Sequence, residues 1–131
     1  MLKKLTAGAL IALALSTTAY AATCPSASSF TKKNDGTFKV SGPTKELTVD
    51  VDPASTSESA AQALKFTAAR IKDKDSNDAR VVCQYEDGKM KPDVAASLVW
   101  PTGKPTAGDG GNWQGDDCAT EDGDVQKCAF K

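Results

Sequence analysis

The chain has 131 residues, 16 of them basic and 17 acidic, with four cysteines, no histidine and a formal net charge of −1. That balance, with no basic patch and no Lys/Arg run, argues against nucleic acid or anionic lipid as partner. The missing histidine excludes Ser-His-Asp and Cys-His catalysis, and neither a phosphate-cradling glycine loop nor a Walker lysine occurs.

At the N-terminus, Met1-Leu2-Lys3-Lys4 is a short positive stretch, Ala7 to Leu15 an apolar run, and Ala19-Tyr20-Ala21 a small-x-small cleavage pattern. Residues 1–21 therefore read as a signal peptide and 22–131 as one exported β domain, destined for the periplasm or the medium. The apolar run falls short of the roughly 20 residues of a membrane-spanning helix, so no membrane insertion is expected. A lipoprotein acylated at Cys24 would want a large aliphatic residue three positions earlier and a small one just before; the chain has Ala21 and Thr23. Cleavage removes two of the 16 basic residues and none of the 17 acidic ones, so the net charge moves from −1 to −3.

Strand patterns dominate the chain beyond the cleavage point. Phe38 and Val40 alternate with polar residues after the Asn34-Asp35-Gly36 turn, Gly42-Pro43 breaks the run, and Leu47, Val49 and Val51 resume it. Asp52-Pro53 closes this hairpin, and Ala54 to Ala63 is the one helix-compatible stretch. Leu64 to Lys72 fits either period, with Leu64, Phe66 and Ala68 alternating as a strand; strand is preferred because the polar turn 72–79 returns it into the next run. That run, Val81-Val82-Cys83-Gln84-Tyr85, is the most β-prone of the chain and puts Val81, Cys83 and Tyr85 on one face. A second run, Val94, Ala96, Leu98 and Trp100, comes after Pro92. Pairing Glu86 with Asp93 across a connection at 87–92 sets Cys83 opposite Ala96 and Val81 opposite Leu98. Residues 101–117 turn to Gly, Pro, Asp and Thr around Trp113 and predict a long loop. The expected fold is mainly β, a single small antiparallel sheet of sandwich or barrel-like form with at most one short helix.

Cys24, Cys83, Cys118 and Cys128 all lie beyond the signal peptide, and an oxidising compartment predicts two disulfides. Of three possible connectivities, a tail hairpin with a three-residue loop at 122–124 puts Glu121 opposite Val125 and Cys118 opposite Cys128. Cys24 with Cys83 is then the remaining pair, by elimination. Zinc sites use paired short Cys/His spacings that are missing here, and no metal or cofactor is expected.

Cys24-Pro25 after the signal peptide, Phe66-Thr67-Ala68, the strand Val81, Cys83, Tyr85 and a cysteine near the end together resemble a family of small exported bacterial proteins of unknown function. The resemblance implies a compact, disulfide-bonded β domain and carries over no catalytic position.

Three constellations bear on function. Asp73-Lys74-Asp75-Ser76-Asn77 spaces oxygen ligands as a calcium loop does, but Asp78 stands where such a loop needs glycine and Gln84 where it needs a bidentate Glu, so a polar turn is expected. The acidic tail, with Asp109, Asp116, Asp117, Glu121, Asp122 and Asp124, reads either as a solvated face or as a surface for a cation or basic protein. A glycosidase carboxylate pair would draw on the same residues and needs a separation that spacing does not define. Trp113, amid Gly110-Gly111-Asn112 and Gln114-Gly115, is either a binding platform or a cap on the core, and is expected to be less buried than Trp100. The candidate binding residues are accordingly Trp113, Asp116 and Asp117, with no catalytic residue. The expected function is non-enzymatic binding of another protein, inhibitor-like or as an interaction module; the alternative is a secreted carbohydrate- or calcium-binding module.

Overall fold

A computed structural model describes residues 22–102, 105–108 and 110–131. The signal segment 1–21 and Asp109 of the acidic tail lie outside the described residues. The strands are β1 (Thr31–Lys32), β2 (Phe38–Ser41), β3 (Glu46–Asp52), β4 (Lys65–Lys72), β5 (Arg80–Glu86), β6 (Ala95–Trp100), β7 (Trp113–Gln114) and β8 (Asp117–Ala119). They form one antiparallel sheet in the order β1-β2-β3-β6-β5-β4-β8-β7. A short α-helix, α1 (Glu58–Gln62), and two 3-10 turns, Ala27–Ser29 and Val125–Cys128, complete the described elements. None of the described helices is long and apolar enough to cross a membrane.

The period-2 pattern sorts the faces. Phe38, Val40, Leu47, Val49, Val51, Val81, Cys83, Tyr85, Ala96 and Leu98 are buried on one side, while Asp50, Arg70, Gln84 and Ser97 look outward. The N-terminal segment and α1 supply the cover, contributing Phe30, Ala27 and Ala61 to the same core. Phe30 and Phe66 meet the Tyr85 ring edge-on at centroid distances of 5.0 and 5.7 Å, each such pair adding about 0.5–1.5 kcal/mol to its area burial. The Tyr85 hydroxyl is buried with its ring and donates to the Pro25 carbonyl at 2.6 Å. Burial pushes that phenol's pKa well above the ordinary tyrosine value.

Both expected disulfides are present. Cys24–Cys83 pins the N-terminal cover to the central strand with Cα atoms 5.9 Å apart, and Cys118–Cys128 ties β8 to the last 3-10 turn at 5.7 Å. The second pair forms in a different geometry from the predicted hairpin. Asp122 accepts from Asp124 N and Asp124 from Gln126 N, so residues 121–124 turn into a 3-10 helix in place of a second strand. Cys118 instead lies opposite Trp113 on β7 and Ala69 on β4.

Other expectations need correction. The β5–β6 register sets Cys83 opposite Leu98 and Tyr85 opposite Ala96, two residues on from the predicted pairing. The Asp87 carboxylate causes this by accepting from the backbone N–H groups of Lys89, Asp93 and Val94 at 3.1, 2.9 and 3.2 Å, which draws residues 93 and 94 into the loop. Because the slip is even, the buried face is unchanged. In β4 a bulge between Phe66 and Ala68 reverses the alternation, so Ala69 and Ile71 face the core after Phe66, and Ala68 pairs with outward-facing Gln84. The helix occupies half of its compatible stretch: residues 53–56 close a turn, with Thr56 N bonded to Pro53 O at 3.1 Å, and Ser57 then caps α1 by accepting from Ala60 N at 3.2 Å.

At the outer rim of the sheet, Lys32 N points away from β2 and donates to Glu58 Oε2 at 2.8 Å, so α1 covers the edge of β1.

Candidate functional site

The stretch predicted as a long loop is instead laced to the C-terminus by backbone hydrogen bonds. Thr106 and Lys131 exchange both of theirs, Gly108 N donates to Ala129 O, and Asn112 N to Lys127 O, all at 2.9–3.0 Å. A side chain on Gly108 or Gly111 would meet those carbonyl oxygens at 2.5 and 2.3 Å, so glycine is what allows the approach. The missing apolar period hid this ladder from the sequence, because main-chain pairing leaves no hydrophobic signature.

Gly115, at φ +65°, and Asp116 turn β7 back into β8, which docks on β4 with Cys118 opposite Ala69 and Asp117 opposite Arg70. Ile71 N donates to Asp116 O, Thr120 N to Thr67 O, and Thr120 Oγ1 to Phe66 O, at 2.8, 2.9 and 2.9 Å. The hairpin is thus fixed at both ends. Trp113 is half-buried against the core, as Trp100 is. Its Nε1 donates to Ala129 O at 2.7 Å.

Around Trp113 lies an open concavity of about 750 Å³ whose rim includes Gln114, Asp117, Glu121, Asp122 and Lys127. Of the three candidate binding residues, Trp113 and Asp117 line it. Asp116 is not among the lining residues and pairs with Lys74 at 3.3 Å. The groove's further polar members, Asn112, Gln114, Thr120 and Lys127, carry no signal of their own in the sequence as binding residues.

Electrostatics within the groove are partly settled internally. The Lys127 ammonium bonded to Asp122, helped by the Asp124 N–H, holds the Asp122 carboxyl below the usual carboxylate range, and the same contact raises Lys127. Asp117 faces Arg70 at 3.8 Å, both well exposed. Elsewhere, the Asp73 carboxylate of the calcium-like stretch is taken by Arg80 at 2.6 Å, and Ser76 N closes the turn on Asp73 O. Among the described residues no group of three or more His, Cys, Asp or Glu is placed to hold a metal ion. All four cysteines are in disulfides.

No protein-family model, curated protein or solved structure matches this chain.

Proposed function

We propose that this is an exported, non-enzymatic protein that binds another protein through the Trp113 groove. The observation that carries the reading is the setting of Trp113: a half-buried indole, anchored by its own N–H, at the wall of a groove whose strand β8 is stapled to the last 3-10 turn by a disulfide. A fixed aromatic side chain loses little freedom on binding and is the kind of residue around which interface energy concentrates. Export rests on the N-terminal pattern and the two disulfides, which suit an oxidising compartment, and the resemblance to small exported bacterial proteins points the same way. A carbohydrate ligand is the second reading, favoured by the indole standing beside the amides of Asn112 and Gln114 in one groove.

The test of export is mass spectrometry of the mature protein, expected to show an N-terminus at Ala22 and a mass four hydrogens below that of the reduced chain. The test of binding sets a pull-down from envelope and host extracts beside a glycan array, each run with wild type and Trp113→Ala. A captured protein lost with the variant is the expected result; glycan binding lost with the variant would transfer the groove to the second reading.

A further inference from the structure

We propose that two copies of the chain pack face to face through the uncovered side of the sheet, the acidic strand of each lying over the basic strand of the other. The surface is the outward face of β3, β6, β5 and β4, turned away from the core that α1 and the N-terminal segment close.

The register fixes what that face presents. Across one row stand Asp52, Ala95, Glu86 and Lys65; across the next Asp50, Ser97, Gln84 and Ala68; and across a third Val99, Val82 and Arg70. Charge is therefore sorted by strand. On this face β3 brings Asp50 and Asp52, β4 brings Lys65, Arg70 and Lys72, and β6 between them brings Ala95, Ser97 and Val99, with no charge at all. β5 carries one charge of each sign at its ends, Arg80 and Glu86, around Val82 and Gln84. Strands lie about 4.8 Å apart, so β3 and β4, three spacings from each other, hold their charges roughly 14 Å apart, too far to pair within one copy. Asp50, Asp52 and Lys72 accordingly have no ion pair among the described residues, and Arg70 reaches only Asp117, at 3.8 Å. In the middle of the face Val99 is 47% exposed, one of two large apolar side chains left in solvent among the described residues.

A second copy of the same face is the partner this pattern fits. Turning a copy over about a two-fold axis that runs along the strands, between β6 and β5, lays β3 over β4 and β6 over β5, twice by symmetry. Because Val99 pairs with Val82 and Ser97 with Gln84 within the sheet, the same turn sets Val99 over Val82 of the second copy and Ser97 over its Gln84. Asp52 falls over Lys65, and Asp50 between Lys65 and Arg70. An axis across the strands would instead lay β3 on β3 and β4 on β4, like charge on like, which opposes association. Stacked sheets stand about 10 Å apart, a gap that an extended Lys or Arg facing a short Asp can bridge while valine, serine and alanine fill the centre. The four strands cover roughly 20 by 24 Å, near 500 Å² per copy and below the about 800 Å² of a standard interface, so the dimer forms reversibly at micromolar concentrations.

Sedimentation velocity of the disulfide-bonded protein over a range of micromolar concentrations is expected to show a monomer–dimer equilibrium that weakens as salt is raised. The charge-reversed pairs Asp50→Lys with Asp52→Lys, and Lys65→Glu with Arg70→Glu, alter exposed side chains and should each be monomeric. Mixed together they should dimerise again, because acid once more faces base on both sides. Asp50→Asn with Asp52→Asn keeps the side-chain shape and should weaken the wild-type dimer about tenfold. A wild type that stays monomeric throughout would overturn the inference, as would dimers that persist in both reversed pairs, or reversed pairs whose mixture stays monomeric. A dimer that Trp113→Ala abolishes and the reversed pairs do not would move the contact to the groove, overturning this inference and leaving the groove reading in place.

Discussion

Cys24–Cys83 joins segments 59 residues apart inside a core with Phe30, Phe66 and Tyr85, whereas Cys118–Cys128 closes a span of 10 residues in a tail of Gly, Asp and Thr. Around the first bridge the alternation of apolar residues already brings β4, β5 and β6 together, and the bond adds a lock. Around the second, Cys118, Cys128 and Phe130 are buried in the same core with Trp113 and Val125 packed against it, but no apolar alternation brings them there. The covalent bond, the backbone ladder to residues 127–131 and the Trp113 indole add to that burial in holding the region. A polar surface can therefore be held in place when its backbone is tied by such bonds as well as by a few buried side chains.

The largest test of this contrast removes each bridge in turn. Chain entropy alone gives about 4 kcal/mol for the 59-residue separation and about 3 for the 10-residue one. Denaturant melts of Cys24→Ser with Cys83→Ser should thus show the greater loss. For Cys118→Ser with Cys128→Ser, amide exchange should open residues 106–131 while β5 and β6 stay protected. Uniform exchange in the second variant would remove the distinction between the two regions.

Next in size are the two indoles. Trp113→Ala should cost about 2 kcal/mol, within about 1 kcal/mol of Trp100→Ala, since both are half-buried. Trp113→Phe should recover most of the packing but lose the bond to Ala129 O, at about 1 kcal/mol. A negligible cost for Trp113→Ala in a melt would show that the indole anchors nothing in the fold.

Tyr85→Phe sharpens the core side. At neutral pH it should cost about 1 kcal/mol for the lost bond to Pro25 O. Because burial raises the folded-state pKa, the unfolded chain releases the phenolic proton first. Tyr85's contribution is then complete below pH 10.0, its ordinary value, and declines above it by up to about 1.4 kcal/mol per pH unit. Stability measured across alkaline pH should fall less steeply in Tyr85→Phe; identical slopes would place the titration elsewhere. The smallest effect belongs to the exposed Lys127–Asp122 pair, where Lys127→Gln should move the melting midpoint by less than about 2 °C.

The faces of β2, β3, β5 and β6 were readable because a half-buried strand writes its burial into every second residue, as Val81, Cys83 and Tyr85 do. What escaped was set by single polar groups acting on the backbone. Asp87 moved a register, Asp122 and Asp124 turned an expected strand into a 3-10 helix, and an extra residue near Thr67 reversed a face. Disulfide pairing survived the wrong local geometry because Cys118 and Cys128 meet whether the tail returns as a strand or as a turn. Trp113 and Asp117 were legible as outliers of composition. Their neighbours Asn112, Thr120 and Lys127 were not, since proximity there depends on the C-terminal ladder, which carries no period.

The contact between Glu58 and Lys32 N bears on how the rim of the sheet is finished. A sheet grows by recruiting strands at an uncapped rim, and a two-residue rim strand whose outward amide is already held by a carboxylate gives an incoming chain little to template on. The helix that completes the core thus also covers this rim, one acidic side chain on its first turn taking the amide that an added strand would use.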